Sequence, residues 1–291
     1  MRKSLKIAGV ILALALVGGV IYWQMHKKGI IKDSIENAIT KGTDSLYFIH
    51  YDSSFIDEVN GNASFFNVRL QSDSLQKQLL QYDTASEATI YNIQADEVSI
   101  RGANIPGLIG NTSIEANAIL IRHPVVYIIS SGKKEKKILN KQDSLAIYEK
   151  LLGKFKSIHA KEIIIENGHL YFIDKTGEPA TALRNINVQL NKFRIDSTRD
   201  FNNIISYFVK DVVAKVQEVH VKGDKHNATF TDVEYNAPAR FIKLAGFRQK
   251  NSAGKIVLDI NNTSISNIST DAFILRQQLK AEELISDGGM L

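Results

Sequence analysis

The arrangement of apolar and polar residues divides the chain into three parts. Residues 7–24 are uncharged and mostly apolar, and a helix of that length is about 27 Å long, close to the thickness of the hydrocarbon core of a membrane. Ile31, Ile35 and Ile39 then recur at a four-residue spacing that predicts a short helix. From Ser45 onward, apolar and polar residues alternate in short stretches. The pattern predicts a membrane anchor at 1–28, a helical stalk at 29–44 and a β-rich domain at 45–291.

The apolar run is interpreted as a retained single-pass anchor. Basic residues flank both of its ends, and its aromatic pair lies where a membrane interface is expected. A cleaved signal peptide is the alternative, because Ala13-Leu14-Ala15 has a small-x-small pattern, but this triplet lies inside the run. The predicted anchor residues are Ile7, Leu12, Leu14, Leu16, Val20, Tyr22 and Trp23.

Charge does not orient the anchor, since three Lys or Arg residues precede the span and three follow it closely. Export of the large C-terminal part is the simpler topology, and a cytosolic domain on the inner leaflet stays open as the alternative.

The β-rich domain is expected to form an antiparallel sheet with two covering helices. The predicted strands are rich in β-branched and aromatic residues and are separated by Gly, Asn, Asp or Ser turns. They span 46–51, 63–70, 88–93, 98–105, 114–121 and 125–129. The segments Asp143–Ile158 and Phe201–Val216 have amphipathic periodicity and are predicted to be helices that cover the sheet.

An eleven-residue pattern occurs four times along this domain, starting at residues 95, 160, 216 and 281. Each copy places a glutamate before a short alternating strand, at Glu97, Glu162, Glu218 and Glu283. In the second copy the strand is expected to turn back at Asn167-Gly168. The fourth copy ends at Leu291, just past the equivalent turn, so we expect the sequence to be the front part of a longer protein. A repeated unit of this kind predicts an elongated, stacked β-sheet.

Charge and motifs exclude several classes of function. The net charge of +5 comes from six basic residues among the first 32, and the rest of the chain has 30 basic and 31 acidic residues. We therefore expect no nucleic-acid partner. The chain has no cysteine and contains no phosphate-binding loop, nucleophile elbow or zinc-protease motif. His220 and His226 flank a Gly-Asp turn, but two ligands without a third make a poor metal site. We predict no enzyme activity, cofactor or metal.

Four features together resemble the N-terminal region of AsmA-like envelope proteins, the family of AsmA and TamB. They are the N-terminal span, the strand-Pro-strand segment Ile114–Ile129, the strand-turn-strand segment Ala160–Ser197 and the segment near Glu283. The resemblance extends over nearly the whole chain. It implies a curled β-groove with an apolar concave face, held at the bacterial inner membrane with its main domain in the periplasm. It also implies phospholipid acyl chains as ligands and a role in phospholipid transport and outer-membrane biogenesis. The chain is shorter than the large members of the family that could span an envelope.

Several predicted strands are apolar at both parities, so both of their faces are expected to be covered. One cover can be lipid, or protein layers can cover both faces; the sequence leaves both readings open. If a lipid groove exists, we expect one parity of the central strands to line it. These residues are Ile119, Ile121, Val125, Tyr127, Ile163, Ile165, Leu170 and Phe172. The alternative function is a non-lipid scaffold that binds another envelope protein through its sheet edge and helices.

Overall fold

A computed structural model describes residues 47–72, 89–103, 113–130, 157–174, 176–196, 212–269 and 280–290. The described residues form fourteen strands in a single sheet and no helix, so the predicted mainly-β class is confirmed. The strands are β1 (Tyr47–His50), β2 (Ser53–Asp57), β3 (Asn62–Ser72), β4 (Thr89–Arg101), β5 (Ser113–Arg122), β6 (Val125–Ser130), β7 (Ser157–Ile173), β8 (Pro179–Asp196), β9 (Val212–Lys222), β10 (His226–Asn236), β11 (Phe241–Asn251), β12 (Ile256–Ser266), β13 (Glu283–Ser286) and β14 (Gly289–Met290).

The main path across the sheet is β1-β3-β4-β5-β7-β8-β9-β10-β11-β12-β13. Three short strands lie off this path, each in line with a strand of the path: β2 continues β1, β6 continues β5 and β14 continues β13. β2 pairs with β3 beyond β1, β6 lies between β4 and β7 beyond β5, and β14 pairs with β12 beyond β13. At about 4.8 Å per strand, the eleven strands of the main path make a sheet about 48 Å wide.

The sheet is mixed, and the expectation of a purely antiparallel sheet is wrong. Both β5 and β6 pair with β7 in parallel, whereas all other pairs are antiparallel. A parallel pair needs a long connection, and residues 131–156 between β6 and β7 supply one. The separate strands predicted at 88–93 and 98–105 are one strand, β4.

A line of residues with positive φ crosses the sheet near the middle of its strands. Asn67, His123, Asn167, Asn185, Asp232 and Asn262 have φ between 44° and 53°. The strand registers place these six residues, with Asp96, Gln217 and Ala245, on neighbouring strands along one line. Asn and Asp tolerate this left-handed conformation better than most residues do. We call this line the inversion line.

Along the inversion line, the alternation of side chains between the two faces is inverted. Phe65 and Val68, on either side of Asn67, belong to the same cluster around Tyr51 and Ala63. In a regular strand, residues three apart lie on opposite faces. One left-handed residue therefore places i and i+3 on the same face. The same shift occurs at Lys192 (φ 57°), where Ala160 and Ile163 on the neighbouring strand both pack in one core cluster.

The predicted turn at Asn167-Gly168 is wrong. Strand β7 continues through both residues to Ile173, because a single left-handed residue bends a strand without reversing it. In the fourth copy of the repeat, β13 and β14 likewise both pair with β12, so this strand also continues in line past Gly288.

The C-terminal ends of both predicted helices are strands. Residues 212–216 begin β9, and Ser157 and Ile158 begin β7. In the sequence VVAKV the β-branched residues favour a strand. All five residues pair with β8, and residues 213–216 also pair with β10. The remaining parts of both predicted helices, the predicted anchor and the predicted stalk lie outside the described residues. Among the described residues there is no helix long and apolar enough to cross a membrane.

The main core of the described residues lies at one end of the long strands. Ala160, Leu190, Phe193, Val212 and Ala237 are buried together there. Ile119, Ile158, Ile163, Val188 and Tyr235 pack against this cluster and are only partly buried. The core therefore stabilises the end of the sheet where β7, β8 and β9 are paired, and it lies on one side of the inversion line.

Candidate functional site

The first feature of interest is a continuous row of apolar residues on the core side of the inversion line. Each residue is the direct cross-strand partner of the next, across ten strands. Directly paired residues lie on the same face of a sheet, so the whole row shares one face. The row consists of Phe65, Val98, Ile121, Ile165, Val188, Ala214, Tyr235, Ile242, Ile265 and Leu284.

A second apolar row crosses ten strands on the other side of the inversion line. Its members are also direct cross-strand partners. Nine steps at about 4.8 Å give this row a length of about 43 Å. The row consists of Ile49, Leu70, Ile93, Val126, Leu170, Leu183, Val219, Phe230, Phe247 and Ile260.

Both rows lie on the same face, because the alternation is inverted between them. A Cβ built on Gly168 would lie 3.1 Å from Pro124 Cγ and 3.3 Å from Ile165 Cγ2. Gly168 therefore points to the face that carries Ile165 of the first row. Regular alternation from Gly168 then places Leu170 of the second row on that face. We call the surface formed by the two rows the apolar face.

The apolar face is only partly covered. All ten residues of the second row are half-buried, and none is fully buried. Beyond the second row, Tyr91 and Val221 continue the same alternation and are 40% and 36% exposed. A face packed against a second protein layer would bury such residues almost completely. This half of the apolar face is therefore accessible.

The structure places six of the eight predicted groove residues on the apolar face. Ile119 pairs with Ile163, and Ile121 pairs with Ile165, on the core side of the inversion line. Leu170 and Phe172 lie on the other side of the line, on the same face. Of these six, Ile119 and Ile163 pack against the buried core cluster.

Val125 and Tyr127 lie on the opposite face, so the expectation that the odd-numbered residues of β5 and β6 share one face is wrong. The left-handed residue His123 inverts the alternation between the two strands. Tyr127 pairs with Tyr171, and their rings stack with centroids 5.2 Å apart. The residues of β6 on the apolar face are Val126 and Ile128, which sequence reasoning missed because the segment is apolar at both parities.

The opposite face carries ladders of charge, and we call it the polar face. Arg122 Nη1 lies 2.6 Å from Glu97 Oε2, and Arg122 Nε lies 3.1 Å from Glu166 Oε2, so the guanidinium joins three neighbouring strands. Further along the sheet Arg184 pairs with Glu218, and Arg248 Nη2 lies 2.9 Å from Asp259 Oδ2.

Hydrogen bonds, first of all one from Ser99, shift the pKa of Glu97. The hydroxyl of Ser99 donates a hydrogen bond to Glu97, and this bond, followed by those from Arg122, lowers the pKa of the Glu97 carboxyl below its ordinary value. The carboxylate is thus the form that the folded state stabilises. This role is structural, since the partners satisfy one another.

The four glutamates of the sequence repeat share this polar face. Glu97 binds Arg122, Glu218 binds Arg184, and Glu162 accepts a hydrogen bond of 2.6 Å from Gln189 Nε2. Glu283 pairs with Ser266 in the register of β12 and β13. In three copies the repeated glutamate thus joins adjacent strands on the face that lies opposite the apolar rows.

The two histidines that flank the Gly-Asp turn do not meet. His220 pairs with Thr229, and its Nδ1 lies 3.2 Å from Thr229 Oγ1, whereas His226 begins β10. Across the described residues, no group of three or more His, Asp or Glu side chains is arranged to hold a metal ion.

No family model and no curated protein matches this chain.

Proposed function

We propose that this protein is a membrane-anchored, non-enzymatic carrier of phospholipid acyl chains in the bacterial envelope. The observation that carries the proposal is the second apolar row, which crosses ten strands without a polar residue and without a fully buried one. An acyl chain requires continuous apolar surface and no fixed hydrogen bonds. A polar ligand would leave this apolar surface in contact with water, and each Å² of apolar surface left exposed costs about 25 cal/mol of free energy.

The length of the row suits this ligand. One leaflet of a bilayer has a hydrocarbon thickness of about 15 Å, half of the whole core, whereas the row is about 43 Å long. Acyl chains therefore fit along it with room for movement from strand to strand. The sheet would hold the apolar part of the lipid and leave its headgroup in water.

The resemblance to AsmA-like proteins supports the same function and adds a location. In this proposal residues 7–24 anchor the chain in the inner membrane, the sheet lies in the periplasm, and the protein contributes to phospholipid transport and outer-membrane biogenesis. The charge ladder at Arg122 lies on the opposite face of the sheet.

Photocrosslinking tests the proposal. A photoreactive phenylalanine analogue at Val126, on the apolar face, is expected to crosslink to phospholipid in intact cells. The same analogue at Val125, the adjacent residue on the polar face, is the matched control and is expected not to do so. Equal lipid labelling at the two positions, or none at Val126, would refute the proposal.

A second candidate function, an envelope scaffold that binds a protein partner by strand addition, rests on the β13-β14 edge. Leu284, Ile285 and Met290 are 65%, 51% and 58% exposed there, and in the described part of the chain β13 pairs only with β12. Unpaired edges with exposed apolar side chains are typical sites of strand addition. The same photoreactive residue at Leu284 would then crosslink to a protein, while Val126 would give no lipid adduct.

A further inference from the structure

The polar face contains a cleft of about 500 Å³ on the inversion line, where β7, β8, β9 and β10 lie side by side. Four amide side chains line it: Asn167, Asn185, Asn187 and Gln217. Ligand pockets have typical volumes of about 300–1,000 Å³, so the cleft is large enough for a small molecule. It lies on the face opposite the apolar rows and is independent of the proposed lipid function.

The inversion line accounts for the polar density of this cleft. Where the alternation is inverted, two consecutive residues of a strand lie on the same face. Gln217 and Glu218 of β9 therefore share the polar face, and Glu218 binds Arg184 there. The four strands β7, β8, β9 and β10 thus each contribute an additional polar side chain at this line.

Hydrogen bonds within the cleft position the amides and leave part of their capacity available. The backbone N–H of Asn167 donates to Asn187 Oδ1 at 3.1 Å, and Asn185 Nδ2 donates to Gln217 Oε1. The amide nitrogen of Gln217 and the side-chain carboxamide of Asn167 have no hydrogen-bond partner among the described residues. Each carboxamide offers both donors and acceptors, so the cleft can donate and accept at the same time.

The charges in the cleft disfavour an anion. Lys215 Nζ lies 3.8 Å from Glu234 Oε2, so its charge is largely compensated. Asp232, also in the lining, adds a second carboxylate. A phosphate or carboxylate ligand would meet net negative charge, whereas a ligand with neutral hydroxyl groups would not.

A ladder of stacked rings begins beside the cleft on the same face. Along β7, His169 and Tyr171 follow Asn167 at alternate positions, and their rings lie 6.3 Å apart at an angle of 11°. Tyr171 continues the stack to Tyr127 on β6. Aromatic side chains combine apolar surface with a polar tip, which suits the alternating CH and OH groups of a sugar ring.

We propose that this cleft binds a neutral saccharide. The amides and Asp232 would exchange hydrogen bonds with the hydroxyl groups, and the ring ladder would extend the contact to a neighbouring sugar unit.

Saturation-transfer NMR on the full chain, solubilised in a detergent without a sugar headgroup, tests this proposal. The probes are N-acetylglucosamine, maltose and cellobiose, with glycerol and inorganic phosphate as comparison compounds. We expect transfer to at least one of the sugars, no transfer to glycerol, and no displacement of the sugar by phosphate. Gln217→Ala should weaken sugar binding about tenfold, as expected for the loss of one or two hydrogen bonds, and Gln217→Trp should fill the cleft and abolish binding.

Gln94→Ala is the matched control, since Gln94 is exposed on the polar face of β4, away from the cleft. It should leave sugar binding unchanged. Thermal unfolding of each variant shows whether the fold is kept; if Gln217→Trp does not fold, Gln217→Ala decides the result. No transfer to any of the three sugars, equal binding by Gln217→Ala and Gln94→Ala, or displacement by phosphate would each overturn the proposal.

Discussion

The two valines at the start of β6 allow a sharp test of the apolar face, because Val126→Asp and Val125→Asp make the same chemical change on opposite faces of one strand. Both side chains are half-buried. Full burial of a valine contributes about 1.5–3 kcal/mol, so the loss of either half-buried side chain should cost about 1 kcal/mol. In a domain of this size that lowers the melting temperature by about 2–4 °C, and both variants should fold.

Their effects on lipid binding should differ strongly. An acyl chain lying along the second row would cover residue 126, and an aspartate there would lose its hydration at a cost of several kcal/mol. Since about 2.8 kcal/mol corresponds to a hundredfold change in affinity, Val126→Asp should lose nearly all co-purified phospholipid. Val125→Asp should retain as much as the unmodified protein.

The assay is mass spectrometry of phospholipid extracted per mole of purified full-length chain, with thermal unfolding of the same samples. Equal phospholipid in both variants would refute acyl-chain binding along the second row. Unfolding of Val126→Asp alone would show that protein packs against residue 126, and the accessible-face argument would then be wrong.

Two further predictions concern the polar face and the inversion line. Glu97→Gln should destabilise the protein at neutral pH. Because folding lowers the pKa of Glu97 below its ordinary value of 4.5, the stability from this carboxylate is present above pH 4.5 and is lost as the pH falls through the lower, folded-state pKa. The melting temperatures of Glu97→Gln and the unmodified protein should therefore converge in acid; a constant difference at all pH values would contradict this. Asn167→Val should cost at least about 1–2 kcal/mol, since a β-branched residue tolerates the left-handed conformation poorly, whereas Asn167→Gly should cost less than 1 kcal/mol; equal unfolding midpoints in denaturant would show that the conformation at residue 167 is not what limits the substitution.

The β-rich class and most strand positions could be predicted because period-two alternation and turn residues are local signals. β3, β5 and β6 all lie within two residues of their predicted bounds. The parallel pairing of β5 and β6 with β7 could not be predicted, since the sequence of a strand does not specify which partner lies beside it. The prediction of helix was wrong at the C-terminal ends of the two segments for a related reason. Five residues such as those at 212–216 fit both the helical and the strand periodicity, and pairing with β8 and β10 decides between the two structures.

The sequence could predict which strands form the candidate site, but it could predict only some of the residues that line it. The segment at 125–129 is apolar at both parities, so its sequence cannot choose between Val125 and Val126. The choice depends on His123, whose left-handed conformation inverts the alternation. An Asn-Gly pair such as Asn167-Gly168 is an equally good signal for a hairpin turn, and only the continued pairing of β7 distinguishes a bend from a reversal.

The inversion line connects the two proposed surfaces. In a regular strand, an apolar pattern of i, i+2, i+4 keeps one face apolar along its whole length. Here apolar residues recur at i and i+3 across the line, as at Phe65 and Val68, so the apolar face stays continuous only because the backbone inverts there. The two intervening residues both lie on the other face, where they form the charge ladder at Glu166 and Arg122 and the amides of the cleft. The inversion line therefore gives one surface suited to acyl chains and another suited to hydroxyl groups.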